Sequence, residues 1–365
     1  MFEVNSSNII NDKLNEFISS GSKKLIQCNS LELIGGVILK KRILGKKGLE
    51  VSELGFGCMG LNYHRGPAKD RNEMIKVVHS AIDAGITMFD TAEVYGPYTN
   101  EELVGDALIG KRNHVQIATK GGFKINGLNN EVDSSPETIT TAVEGSLKRL
   151  KTDYIDLYYI HRIDPKIPIE EVAKTILKLK QEGKILHWGL SEASAETIRR
   201  AHSVEPLAAV ESEYSIWWRE VEKEIFPVLE ELGIGLVAYS PLGRGYLTGK
   251  LDINTNFTEN DNRGELPRFQ KETMQANQAL LDFMKEIADE KSVTTAQLAI
   301  AWILDQKSWI VPIPGTTKES RILENIASTS IHFDSKEKEK IASALKKIRI
   351  IGDRYPESEK KLTGR

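Results

Sequence analysis

The sequence predicts an α/β fold, a (β/α)8 TIM barrel with an N-terminal β-hairpin and extra C-terminal helices. Short apolar runs alternate with amphipathic helical runs along most of the chain, and eight of the apolar runs have the character of strands. Regular alternation of this kind is typical of parallel strands joined by right-handed crossovers. The alternating pattern covers about 300 residues, which is the length of such a barrel with insertions.

The predicted elements follow one another in regular order. Residues 46–48 separate two β-like runs, KRILG and LEVSE, which predicts a small hairpin. The eight barrel strands are predicted at 54–58, 87–89, 115–119, 154–160, 185–189, 208–211, 235–239 and 310–313. Helices are predicted at 71–84, 136–150, 169–182, 195–202, 221–232 and 294–306, with further helices at 274–290 and 335–347. Ser134 and Ser135 are cap candidates for the helix whose first turn holds Pro136.

Composition and charge exclude several classes of protein. The 365 residues are 40% hydrophobic and 28% charged, a balance typical of a globular protein with a sizeable core. The formal net charge is -3 with both signs interspersed, so we expect no nucleic-acid partner and no membrane partner. The two cysteines, Cys28 and Cys58, allow neither a disulfide framework nor a zinc site. A reducing, cytoplasmic location is therefore expected.

The N-terminal segment differs in character from the rest of the chain. Residues 1–36 are rich in Asn, Ser and Lys, and they lack the cationic start and apolar run of a signal peptide. No stretch approaches the roughly 18 consecutive apolar residues of a membrane helix. We expect residues 1–36 to be a poorly ordered extension and residues 37–365 to form a single barrel domain.

Polar residues directly follow most of the predicted strands. In (β/α)8 barrels the chemistry lies on the loops after the C-terminal ends of the strands. The polar residues at these positions are Asp90, Tyr95, Lys120, His161, Ser191, Glu192, Glu211, Glu213, Tyr239 and Ser240. They are expected to converge on one mouth of the barrel.

Four of these residues form a coherent set for proton transfer. The ordinary pKa of tyrosine, about 10, is too high for easy proton exchange at neutral pH, and a nearby ammonium lowers it. Lys120 can supply that charge to Tyr95, and Asp90 can hold Lys120 through an ion pair. His161 can donate a hydrogen bond to a substrate oxygen. Such a set can protonate the oxygen of a carbonyl group as hydride reaches its carbon. Taken singly, each residue also has a structural interpretation as a self-satisfied ion pair, a turn tyrosine or a core histidine.

The motifs around these residues resemble the aldo-keto reductase superfamily. In chain order they are FDTAEVYGPYTNEELVGDAL, IATKGGF, DLYYIHRIDP, HWGLSEAS, EYSIWWR, AYSPLGRGYLTGK and VPIPGTTK. The resemblance runs from about Arg42 to Tyr355. The segments PLGRGYLTG, LPRFQ and PIPGTTK resemble the bacterial, fungal and plant branch that reduces aldehydes and ketones with NADPH.

The resemblance implies a role for each matching residue. Tyr95 would be the general acid, tuned by Lys120 and Asp90, and His161 would orient the carbonyl group. The residues expected to contact NADP(H) are Gly57, Cys58, Met59, Ser191, Glu192, Glu211, Tyr239, Ser240, Pro241, Leu242, Gly243, Arg244, Gly245, Gly315, Thr316, Lys318, Arg321, Glu324 and Asn325. Tyr63 and Trp217 are expected to contact the substrate, a small-molecule carbonyl compound, although packing is an equal interpretation of the tryptophan.

The segment GTTKESR, residues 315–321, would hold the adenosine end of the cofactor and its 2′-phosphate. It lies at a predicted helix N-terminus, where free N–H groups and the helix dipole attract phosphate. Arg321 adds a bidentate donor. Thr316 and Glu319 also have the spacing of a capping box, which is the structural interpretation of the same pattern.

Two glutamates depart from the pattern of the superfamily. Glu192 stands where Asn is frequent, and Glu211 stands where Gln is usual. A carboxylate can accept a hydrogen bond from the nicotinamide carboxamide but cannot donate one to its oxygen. The two carboxylates can also repel each other and raise one pKa.

Other functions have weaker support in the sequence. Some members of the superfamily serve as β-subunits of potassium channels, so the alternative is a cofactor-binding regulatory protein with weak reductase activity. Residues 55–60 match the Rossmann pattern G-x-G-x-x-G, but a loop, LNYHRGPAKD, follows where that pattern needs a helix. A metal-dependent hydrolase needs several ligands at strand ends, and only His161 of the seven histidines follows a strand directly, so no metal is expected. The carbonyl compound, the physiological direction and the oligomeric state stay open.

Overall fold

The computed structural model describes residues 39–46, 48–127 and 129–365, and the extension predicted at residues 1–36 lies outside them. Twelve strands occur in this part of the chain. They are β1 (Lys41–Leu44), β2 (Leu49–Ser52), β3 (Phe56–Gly57), β4 (Met88–Asp90), β5 (Gln116–Gly121), β6 (Phe123–Asn126), β7 (Asn129–Val132), β8 (Ile155–Ile160), β9 (Ile185–Ser191), β10 (Ala209–Glu213), β11 (Gly235–Tyr239) and β12 (Ile310–Pro312). Residues Leu39–Arg365 form one compact unit.

The helices alternate with the strands as the sequence predicts. They are α1 (Arg71–Asp83), α2 (Thr99–Ala107), α3 (Pro136–Leu150), α4 (Ile169–Gln181), α5 (Ala195–Val204), α6 (Val221–Leu232), α7 (Lys271–Ala276), α8 (Gln278–Glu290), α9 (Thr295–Gln306), α10 (Glu319–Ala327), α11 (Ser335–Lys347) and α12 (Glu357–Lys360). The predicted cap of α3 is confirmed, since the Ser135 side chain accepts from Thr138 N at 3.4 Å and Pro136 occupies the first turn. No helix in these ranges is long and apolar enough to cross a membrane.

Eight parallel strands form the barrel, and they pair in the order β3, β4, β5, β8, β9, β10, β11 and β12. The first and last strands close the ring through hydrogen bonds from Gly55 N to Pro312 O at 2.9 Å and from Gly57 N to Pro314 O at 3.5 Å. A Cβ atom at Gly57 would lie 2.8 Å from Ile313 O, so the closure requires glycine. The predicted (β/α)8 fold is therefore confirmed.

The same closure explains the glycine pattern at residues 55–60. A 3-10 turn, Met59–Leu61, follows these glycines, and the next α-helix begins only at Arg71. The Rossmann interpretation fails because no helix opens at the glycines. Gly55 and Gly57 instead bring β3 against the chain around the end of β12.

The predicted N-terminal hairpin is present and seals one end of the barrel. Strands β1 and β2 pair antiparallel with Leu44 opposite Leu49, and both side chains are buried. They belong to the same apolar cluster as the barrel-lining residues Met88, Val237 and Val311. This cluster fills the interior of the barrel, which leaves the C-terminal ends of the strands for the site.

Several elements differ from the prediction, among them the short helix α12, which is not predicted. Helix α2 is not predicted by the sequence pattern. Polar residues, Asn100 and Glu101, lie on its buried face, so the sequence lacks the apolar periodicity of an amphipathic helix. The β6–β7 hairpin after β5 is also unpredicted. The helix predicted at 274–290 is two helices that meet at Asn277. The side chain of Asn277 donates to Ile351 O at 2.8 Å and accepts from Ile351 N at 2.9 Å, so it bonds a distant segment.

Candidate active site

A cavity of about 910 Å³ opens at the C-terminal ends of the barrel strands. Its wall contains most of the residues that the sequence assigns to a site. These are Gly57, Met59, Tyr63, Asp90, Tyr95, His161, Ser191, Glu211, Tyr239, Ser240, Pro241, Leu242, Arg244, Gly245, Gly315, Thr316, Arg321, Glu324 and Asn325. These residues lie around one mouth of the barrel, and the roles assigned to them stay a prediction.

Several assigned residues lie outside the cavity wall. Gly243 and Lys318 are among them, and the Cys58 thiol is buried with its sulfur 3.8 Å from Phe56 O. Trp217 packs in the core, where its ring stacks on Tyr246 with 4.3 Å between centroids. The expected contact of Trp217 with substrate is corrected by this packing, which satisfies the large apolar ring away from the cavity.

Lys120 lies beneath the cavity wall and joins the acidic residues of the site. Its Nζ contacts Asp90 Oδ1, donates to Thr91 O at 2.9 Å and lies 3.4 Å from Glu211 Oε2. The same ammonium is 5.2 Å from the centroid of the Tyr95 ring. Lys120 is 1% exposed, so its charge acts in a dry environment, where charge interactions are strong.

The electrostatics of Tyr95 correct one expectation. Burial raises the pKa of Tyr95, while the Lys120 ammonium lowers it and the carboxylates of Asp90 and Glu211 raise it further. The balance is a raised pKa, because desolvation disfavours the phenolate more than the ammonium favours it. Tyr95 is therefore protonated at neutral pH and holds a proton to donate. Burial alone would lower the pKa of Lys120, but the two carboxylates outweigh it and raise that pKa.

His161 faces the same space as a neutral imidazole. Burial, with help from the charges of Arg162 and Lys120, lowers the pKa of His161 well below its ordinary value. The ring meets the rings of Tyr95 and Phe123 edge-on, at centroid distances of 5.9 and 5.3 Å. A neutral imidazole carries one N–H donor, which suits it to orient an oxygen rather than to protonate it.

Glu192 and Glu211, the two glutamates that differ from the superfamily pattern, have pKa values shifted in opposite directions. Burial would raise the pKa of Glu192, but the Arg354 guanidinium outweighs it and lowers that pKa to about 2. Burial, with the charge of Asp90, raises the pKa of Glu211 to about 8 against the opposing charge of Lys120. The expected repulsion between the two glutamates is therefore wrong, since Arg354 neutralises one of them. Glu192 also lies outside the cavity wall, so its expected contact with the cofactor stays a prediction.

The far end of the cavity reaches the first turn of α10. Thr316, Arg321 and Asn325 line it there. Helix α10 begins at Glu319 without a side-chain cap, and Thr316 Oγ1 accepts from Lys318 N at 3.1 Å. The capping-box interpretation of Thr316 is therefore wrong, and no side chain caps the free N–H groups of this turn.

Sequence reasoning missed a group of residues in and beside the cavity wall, Arg162, Arg354 and Tyr355. Arg162 and Tyr355 line the cavity, and the Tyr355 hydroxyl lies 3.0 Å from the Tyr239 hydroxyl. Arg354 binds Glu192 through both guanidinium nitrogens. Arg162 directly follows His161 in the HRIDP motif, a signal that the sequence offered. The contacts of Arg354 and Tyr355 join segments more than 100 residues apart, and no local sequence pattern predicts such contacts.

Two loops that line the cavity are hydrogen-bonded to each other, the first containing Arg65 and Gly66 and the second containing Asn260, Asn262 and Arg263. Gly66 N donates to Asn260 O at 3.0 Å, and Arg65 Nη1 donates to Asn262 Oδ1 at 2.8 Å. Arg263 Nη1 donates to Arg244 O at 3.0 Å, which ties the second loop to the segment after β11. The wall on this side of the cavity is therefore built jointly by residues of both loops.

Known proteins resemble the chain over most of its length. The sequence pattern of the Aldo/keto reductase family matches residues 53–346. A probable aldo-keto reductase 1 from Glycine max is 45% identical over 314 residues, which cover 86% of this chain and 90% of that protein.

Solved structures agree with the sequence match. The glycerol dehydrogenase from Gluconobacter oxydans is 31% identical with a TM-score of 0.78, and the match covers 86% of this chain and 97% of that one. An aldo-keto reductase from Bacillus halodurans, in its holo form, is 27% identical with a TM-score of 0.70 over 87% of this chain and 98% of that one. The resemblance seen in the motifs is thereby confirmed, and the chain belongs to the aldo/keto reductase family, a family of oxidoreductases that act on carbonyl groups.

Proposed function

We propose that this protein reduces an aldehyde or a ketone to the alcohol with NADPH, and that Tyr95 supplies the proton. The observation that carries the proposal is the buried cluster of Tyr95, Lys120 and Asp90 at the floor of a cavity that also contains His161. The match of residues 53–346 to the aldo/keto reductase family supports the same reaction class.

The residues of the cavity fit an anionic dinucleotide. Arg65, Arg244 and Arg321 line its wall, and Nε of Arg244 is buried without a hydrogen-bond partner in the described residues. A buried donor without a partner is costly, and a phosphate oxygen would satisfy it. Thr316, Arg321 and Asn325 would hold the adenosine end, and Ser191 and Glu211 would face the nicotinamide. NADPH, when bound, supplies the hydride.

The chain's own groups supply the proton and orient the substrate. The neutral imidazole of His161 donates a hydrogen bond to the carbonyl oxygen and places it beside the Tyr95 hydroxyl. Tyr95 donates its proton to that oxygen as negative charge develops there, which completes the alcohol. The phenolate left behind lies close to the ammonium of Lys120, which stabilises it, and Asp90 keeps the ammonium in place.

The test of the reaction is oxidation of NADPH by the purified protein with an aromatic aldehyde. Loss of absorbance at the NADPH wavelength should match the alcohol formed, mole for mole. Tight NADPH binding without turnover of any aldehyde or ketone would contradict the proposal and would favour the regulatory alternative.

Arg321 is expected to distinguish NADPH from NADH. The Arg321→Ala variant should weaken NADPH binding by about 10–100-fold, because a charge-assisted contact with the 2′-phosphate contributes roughly 1.5–3 kcal/mol. NADH lacks that phosphate and serves as the internal control. Titration of both cofactors by protein fluorescence measures the two dissociation constants. Equal losses for both would remove Arg321 from the 2′-phosphate site.

Glu211 is expected to make NADPH binding depend on pH. The pKa of about 8 means that Glu211 is protonated at neutral pH, and a protonated carboxyl can both donate to and accept from a carboxamide. Above about pH 8 the carboxylate forms beside Asp90, so affinity should fall with a slope approaching about tenfold per pH unit. The Glu211→Gln variant keeps a donor and an acceptor, and its affinity should be flat across this range. A wild-type profile as flat as that of the variant would contradict this role.

A further inference from the structure

Arg162 is a half-buried arginine that makes no salt bridge within the described residues. Its Nη1 donates to His161 O at 2.7 Å and to Ser191 Oγ at 3.2 Å, and its Nη2 donates to the Tyr355 hydroxyl at 3.4 Å. All three acceptors are neutral oxygens. In the described part of the chain no salt bridge reaches Arg162, although its side chain lines the cavity.

The nearby carboxylates are already engaged by other cations. Glu192 is held by Arg354, and Glu211 lies against Lys120. Glu213 contacts both Arg268, at 2.6 Å, and Arg244, at 3.2 Å. Four arginines, Arg162, Arg244, Arg268 and Arg354, therefore share two carboxylates on this side of the site, those of Glu192 and Glu213.

A guanidinium carries five N–H donors, and one whose hydrogen bonds all go to neutral oxygens can still bind an anion. The open space beside Arg162 is the cavity itself. Arg162 directly follows His161, whose ring faces Tyr95. A molecule whose carbonyl oxygen lies at His161 and Tyr95 can therefore place its second polar group at this guanidinium. The ring of Phe123 lies 5.3 Å from that of His161, and the Tyr355 hydroxyl accepts from Arg162. Both rings line the same cavity, which suits a flat apolar spacer.

We propose that the substrate is an aldehyde or ketone that carries a carboxylate, and that Arg162 binds this carboxylate. The inference rests on the reductase function proposed above and adds the class of substrate to it. A planar guanidinium recognises a carboxylate by paired hydrogen bonds, a geometry that an ammonium reproduces only in part. Arg162 thus selects the substrate, while Tyr95 and His161 act on the carbonyl group.

The test compares an acid with its uncharged ester. Reduction of 3- and 4-carboxybenzaldehyde is measured beside reduction of their methyl esters at saturating NADPH. The wild-type protein should prefer at least one acid over its ester by about tenfold or more in kcat/KM, chiefly through a lower KM. The Arg162→Gln variant should lose this preference, and the Arg162→Lys variant should recover part of it. Arg200→Gln, which changes an exposed arginine on α5, should keep the wild-type ratio.

Each result separates the inference from the function on which it rests. Turnover of the esters with no preference for either acid in the wild type would overturn the carboxylate site while leaving the reductase intact, and this comparison needs no variant. Equal losses for acid and ester in Arg162→Gln, with a raised KM for NADPH, would assign Arg162 to the cofactor and overturn the inference. Failure to reduce any of the four compounds or any other carbonyl compound would overturn the reductase proposal and the inference together.

Discussion

The Tyr95→Phe variant is expected to lose roughly 100- to 10,000-fold in kcat with NADPH and an aldehyde, the usual contribution of a positioned general acid. The change removes only the hydroxyl, so the ring stays beside Tyr63 and His161, 5.9 Å from each by centroid distance. Binding of NADPH should persist, because a phenyl ring fills the same space. Steady-state rates together with a separate binding titration distinguish loss of chemistry from loss of the cofactor site.

The matched control for this variant is Tyr98→Phe. Tyr98 follows on the same loop, is 37% exposed and contacts Arg149 rather than the cavity wall. Its hydroxyl has no part in the proposed proton transfer, so the rate should stay near that of the wild type. A Tyr95→Phe variant as active as Tyr98→Phe would transfer the role of proton donor to another group.

Lys120→Met is expected to cost about 3–5 kcal/mol of the free energy of unfolding, the usual penalty for removing one partner of a buried ion pair. Asp90 is 2% exposed and would lose its counter-ion, and the carboxyl group of Glu211, 3% exposed, would lose its contact with the ammonium. The folded pKa of Lys120 is raised, so its stabilising charge is fully present below its ordinary pKa of 10.5 and is lost only at higher pH. At neutral pH the whole contribution is therefore measurable by denaturant unfolding.

The pH dependence of this loss provides a second check. The carboxyl groups of Asp90 and Glu211 take up protons more readily when the ammonium is gone, so the difference in stability should shrink as the pH falls. Lys124→Met changes an exposed lysine on β6 and should alter stability by no more than about 0.5 kcal/mol. Equal stability of the Lys120 and Lys124 variants at pH 7 would show that the acidic pair does not depend on the ammonium.

The sequence carries enough information for the barrel and for the floor of the site. Most of the predicted strands are followed by a polar residue at a countable position, so the meeting of Asp90, Lys120 and His161 follows from parallel pairing alone. The pKa values of the site residues are harder to predict than their positions. The raised pKa of Tyr95 depends on how completely the folded chain excludes water, a quantity that strand order does not contain.

Packing choices and long-range contacts account for the remaining errors. The aromatic residues at 217–218 could either line a cavity or pack in the core. Trp217 packs in the core because its ring stacks on Tyr246, which comes from another segment of the chain. The pairing of Arg354 with Glu192 likewise joins the last part of the chain to the end of β9. A single sequence shows which residues can pair but not which of several arginines a given glutamate meets.

The hydrogen bonds between the two cavity loops have a consequence for engineering. Arg65 of the first loop is oriented by Asn262 of the second, and the backbone of Gly66 bonds that of Asn260. Substitutions in residues of one bonded network seldom have additive effects. A substitution that changes substrate specificity in one loop will therefore also shift the other loop. A segment transplanted from a relative should include both loops together.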